Sequence, residues 1–112
     1  MNWFSAFTLT LLIESPVVRL GAPGKNGQVA GHFLLANAMS HPLLWFGLFP
    51  LFTSYGLFFW IGEALVVVLE GAVYMRLMTP TRAMVLSLTA NGVSASIGLY
   101  LSGNPAVYPV LP

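Results

Sequence analysis
The chain has 112 residues, of which 57% are apolar and 6% charged, with a net charge of +1 and a mean hydropathy of +0.83. A soluble domain carries charge on about a quarter of its residues, whereas here there are only Glu14, Arg19, Lys25, Glu63, Glu70, Arg76 and Arg82, and 26–62 and 83–112 contain none. This excludes a soluble enzyme, a disordered linker and a nucleic-acid partner, which would call for a basic field facing phosphates. The absence of cysteine removes disulfides, thiol nucleophiles and thiolate metal sites together.

Spanning about 30 Å of hydrocarbon takes roughly 20 helical residues, and four stretches meet that need, near 3–20, 29–52, 57–78 and 83–102. The first begins as a short apolar run, but no Lys or Arg precedes it and no small-residue cleavage site follows, so it reads as a span rather than a signal peptide. Glu14 and Pro16 make it a poor span alone, because a charge at a helix centre costs about 2.5–3.5 kcal/mol on insertion scales. It is expected to insert with help from its neighbours. A glycine-rich turn from Gly21 to Gly27 leads to the second stretch, which carries Asn37, Ser40, His41 and Pro42.

Thr53-Ser54-Tyr55-Gly56 makes the next turn, and the third stretch carries Glu63 and Glu70. Its run Ala64-Leu65-Val66-Val67-Val68-Leu69 is apolar on every side, which argues for a helix over an alternating barrel strand. After Thr79-Pro80-Thr81-Arg82 the fourth stretch places Ser87, Asn91, Ser94 and Gly98 at i, i+4, i+7 and i+11, a face suited to close helix approach. An apolar tail with three prolines occupies 103–112. The predicted fold is an all-α integral membrane protein of four transmembrane helices, a single domain over 1–112.

Arg19 and Lys25 flank the first connection and Arg76 and Arg82 the third. The positive-inside bias makes these four the topology determinants and puts both connections on the cytoplasmic face, with both termini non-cytoplasmic. Trp3, Phe4, Tyr55, Phe58, Phe59, Trp60, Tyr100 and Tyr108 are then expected near the outer interface.

The polar residues contain a repeat. Ala36-Asn37-Ala38-Met39-Ser40 returns as Ala90-Asn91-Gly92-Val93-Ser94, 54 residues later, and Glu14 aligns with Glu70 at an offset of 56, each followed by an Arg-Leu pair. The chain therefore reads as two parallel-repeat helical hairpins, 1–52 and 57–102, related by a pseudo-twofold along the membrane normal.

At 1.5 Å per residue, Glu14, Asn37, Glu70 and Asn91 fall at similar depth, roughly 10 Å beneath the boundary, and are expected to form a layer of two carboxylates facing two amides. Hydrocarbon satisfies no hydrogen bonds, so a buried Glu must find an amide, hydroxyl, cation or water, or become neutral. Glu63 projects from the same helix face as Glu70, about 10 Å away. His41 lies at comparable depth and, with Ser40 and Ser94, is a candidate ligand or proton relay. Each residue also has a structural reading: glutamates as polar glue between hairpins, His41 as a hydrogen-bonded core histidine, serines as packing residues, arginines as side chains snorkelling to headgroups.

Enzyme motifs such as HExxH, GxSxG and a Walker loop are absent from the sequence, and no catalytic residue, metal or cofactor is assigned. The expected function is a small transporter or channel, completed by homo-oligomerisation, that passes a cation or proton-coupled polar solute along Glu70, Glu63, Glu14, Asn37 and Asn91. The alternative is a non-catalytic subunit of a larger energy-converting or photosynthetic membrane complex.

Overall fold
The structure is a computed structural model that describes residues 3–21 and 26–102. Lys25, Tyr108 and the tail 103–112 lie outside the described residues, as do the rings of Trp3 and Tyr55. The described chain is helical: α1 (Trp3–Gly21), α2 (Asn26–Pro42), a π-helical segment (Leu43–Leu48) with a 3-10 turn (Phe49–Leu51), α3 (Tyr55–Tyr74) and α4 (Pro80–Ser102). Four helical spans, Phe4–Gly21, Gly27–Leu51, Gly56–Tyr74 and Pro80–Leu101, are long and apolar enough to cross a membrane, consistent with a multi-pass membrane protein. The molecule is 42 Å long, which matches the roughly 40–45 Å of a bilayer with its headgroups.

Local chemistry sets the boundaries. Ser54 caps α3 by accepting from the Leu57 amide at 3.4 Å, and Thr79 does the same for Arg82 at the start of α4. Pro80 then sits at the first helical position, where its missing N–H costs nothing. The third expected stretch ran to residue 78, but α3 ends at Tyr74, because the amides of Arg76 and Leu77 tighten into i→i−3 bonds on Val73 and Tyr74. The second stretch is not a uniform α-helix. Pro42 has no amide to donate, the next six residues widen into a π-helix, and the Phe49 amide reaches back five residues to the Leu44 carbonyl.

The helices pack in ring order α1–α2–α3–α4, with α4 closing on α1 and antiparallel neighbours throughout. The side-chain distribution inverts that of a soluble protein. Leu20, Trp60, Leu12 and Phe4 are exposed on the outer surface, whereas Glu14, Asn37, Glu70 and Ser87 are fully buried. Such an outer surface suits lipid, which would solvate it at no cost, and the bundle interior supplies hydrogen bonds to the buried polar side chains.

One half of the interior is apolar: Val18, Val29, Phe33, Ala36, Tyr74, Ala83, Leu86 and Ala90 form a core at the end that carries Arg19, Arg76 and Arg82. All three arginines are exposed, and Arg82 Nη2 donates to the Gly21 carbonyl at 3.3 Å, tying α4 to α1. Toward the other end a smaller cluster joins Leu44, Phe58 and Val66. Phe58, near the start of α3, is buried, its ring edge-on to Phe49 of the 3-10 turn at 4.7 Å.

Candidate functional site
Between the two apolar clusters lies a layer of hydrogen-bonded polar side chains drawn from all four helices. On α3, Glu70 is fully buried and both of its oxygens are engaged: Ser40 donates to Oε2 at 2.7 Å and Asn91 donates to Oε1 at 3.0 Å. On α1, Glu14 is equally buried, but only one oxygen is held, by Ser94 donating to Oε2 at 2.6 Å. Glu14 Oε1 has no hydrogen-bond partner among the described residues. Ser40 and Ser94, candidates for a ligand or proton relay, therefore bond the glutamates directly.

The amides divide unequally. Asn91 Nδ2 donates to the Ser87 carbonyl at 2.9 Å as well as to Glu70, and Ser87 in turn donates to the Val67 carbonyl at 2.7 Å. Asn37 Nδ2 donates to the Phe33 carbonyl at 3.0 Å, one turn back on its own helix. The expected facing of two carboxylates by two amides thus holds for Asn91 with Glu70 and fails for Asn37, whose amide is drawn to its own backbone. Asn37 Oδ1 and the Tyr74 hydroxyl are buried without a partner among the described residues.

A cavity of about 90 Å³ rises from this layer toward the end bearing the α2–α3 connection. Glu14, Asn91 and Ser94 line its deep end, His41 and Glu63 its wall, and Trp45, Phe58 and Phe59 its aromatic side. Glu70 does not line it. His41 and Glu63 both line the cavity and make no hydrogen bond to each other: His41 packs against the Phe7 ring at 5.3 Å, and its Nδ1 has no partner among the described residues. Among the described residues, no Lys or Arg lines the cavity and no group of three or more His, Asp or Glu is placed to hold a metal ion.

The polar layer and Glu63 were legible from the sequence. The aromatic wall was not, because Trp45 is turned inward by the π segment, and a π insertion after Pro42 leaves only the proline as a signal. Tyr74 was also missed, since a tyrosine near a helix end ordinarily reads as interfacial.

The chain was compared with protein-family models, with curated proteins and with solved structures, and none matches it.

Proposed function
We propose that the chain is a small membrane transporter or channel for a cation or a proton-coupled polar solute, built from a duplicated hairpin and working through Glu14 and Glu63. The observation that carries this reading is the half-satisfied Glu14 at the deep end of a cavity that holds a second carboxylate and, among the described residues, no Lys or Arg. Intramembrane carboxylates are costly, and one left with an unpartnered acceptor oxygen buried beside a cavity has the chemistry of a cation or proton site. Behind it the apolar core around Val18 and Tyr74 closes the other end, as a path open to one side requires.

Duplication is supported by the burial pattern. At an offset of 54, Ala36, Asn37 and Ser40 correspond to Ala90, Asn91 and Ser94; at 56, Glu14 and Val18 correspond to Glu70 and Tyr74. Apart from the half-buried Ser94, each of these positions is buried. The two serine–glutamate bonds cross between hairpins, Ser40 to Glu70 and Ser94 to Glu14, so a pseudo-twofold exchanges one for the other. The symmetry breaks where function needs it to break. Glu70 gains Asn91 as a second donor and becomes an anchor, while Glu14 keeps a free oxygen.

In this mechanism an incoming cation pairs with the Glu14 carboxylate as the proton held there leaves to the open side. Movement of the α1–α4 contact against the α2–α3 contact then exposes the site to the other face. The test is flux into liposomes reconstituted with the protein, read with an internal pH indicator under an imposed sodium or potassium gradient. Glu14→Gln is expected to abolish cation-coupled proton movement while the variant remains helical and monodisperse. Unchanged flux in that variant would overturn the reading.

A further inference from the structure
A second concavity lies outside the bundle, along the seam between α3 and α4. It encloses about 510 Å³, within the roughly 300–1,000 Å³ range of small-molecule sites. Its walls are apolar, with Trp60, Val67 and Val68 from α3 facing Leu88, Gly92 and Leu99 from α4. The seam and the inner cavity share four residues, Phe59, Glu63, Asn91 and Ala95. Two residues of α3 and two of α4 therefore form the partition between the seam and the inner cavity. Glu63 is only partly buried and accepts no hydrogen bond among the described residues.

Chemistry on the two sides of this partition differs sharply. Inside are two carboxylates and the aromatic residues Trp45, Phe58 and Phe59, residue types that bind an organic ammonium through charge and cation–π attraction together. The inner volume of about 90 Å³ exceeds the roughly 10–15 Å³ that a single water needs on the same measure, enough for a small head group and too little for a long chain. Outside, the seam offers length and apolar contact with a carboxylate at its inner edge.

We propose that the α3–α4 seam is a side entrance from the bilayer to the carboxylate cavity, and that its ligand is an amphiphilic organic cation. The ammonium head lies between Glu63 and Glu14 and the hydrocarbon tail along the seam. The inference deepens the transport reading by naming the substrate class: such a molecule partitions into lipid first, so lateral entry spares it a passage through water. Gly92 keeps the seam open, because a side chain there would meet nothing within 4 Å and would project into the groove.

The probe is decylammonium bearing a tail diazirine, photolysed with the full chain in phosphatidylcholine nanodiscs and mapped by mass spectrometry; the control is the uncharged decanol analogue. Wild type is expected to be labelled by the ammonium probe at seam residues of α3 and α4, saturably and in competition with methylammonium. Glu63→Gln, which removes the charge at near-constant shape, and Gly92→Leu, which fills the groove, are each expected to cut that labelling by about tenfold. Either variant decides the matter alone should the other not fold. Equal labelling by the decanol probe makes the seam a lipid slot and overturns the proposal, as does undiminished labelling of both variants, or seam labelling absent because a second copy covers it. Glu14-dependent flux of a small cation, measured separately, stands or falls independently: its presence without seam labelling removes this inference alone.

Discussion

At the scale of single residues, the two buried glutamates show how much hydrogen-bond environment differentiates chemically identical groups. Glu70 has both oxygens occupied by Ser40 and Asn91, and Glu14 only one, by Ser94. A buried acceptor that loses its donor forfeits about 1–3 kcal/mol, whereas removing both partners together is nearly neutral. Ser40→Ala is therefore expected to destabilise the bundle by about 1–3 kcal/mol, measured by denaturant titration in micelles, and the same change in a Glu70→Met background to cost far less. Equal costs in both backgrounds would mean that the Ser40–Glu70 bond contributes nothing to stability. The glutamates and their approximate depth were legible in the sequence; which donors reached them was not, because Asn37 and Asn91 share a motif and yet bond differently.

At the scale of elements, close approach and irregular backbone set the cavity. Gly62 on α3 faces the π segment, where an added Cβ would come within 2.5 Å of Leu44 Cδ1, while Gly92 on α4 faces open space. Leu44 is buried and has little room to yield. Gly62→Leu is expected to lower stability by roughly 1–3 kcal/mol through overpacking, and Gly92→Ala to leave it unchanged or raise it by up to about 1 kcal/mol through helix propensity. Thermal unfolding in detergent checks the pair, and the reverse order would show that α3 does not pack on the π segment as described. The four helices were readable from hydropathy to within a few residues of their ends. The π segment was not, since its Leu-Leu-Trp-Phe-Gly-Leu sequence carries the same hydropathy in either helix type.

For the whole molecule, the inverted distribution of side chains and the 42 Å length suit a bundle that spans a bilayer, and the arginines gather at one end of it. Thr53, in the α2–α3 connection, and Thr81, near the start of α4, are exposed at opposite ends. The chain has no native cysteine, so single replacements report without background. Thr53→Cys and Thr81→Cys are expected to react with an impermeant maleimide from opposite sides of the membrane, with Thr81→Cys reached only from the cytoplasmic face by the positive-inside bias. Labelling of both from one side would exclude the spanning arrangement.

The sequence by itself determined the class of molecule, the number of helices and the identity of the costly residues. Composition and hydropathy act locally, and a carboxylate in an apolar helix is conspicuous wherever the helix packs. Only the tertiary structure decided that Ser94 reaches Glu14 across 80 residues, that Phe58 and Trp45 line a cavity, and that Glu63 stands between that cavity and the α3–α4 seam. Those relations depend on the rotation of each helix about its axis. Rotation is set by side-chain packing at distant points along the chain, and by one π insertion that local sequence barely marks.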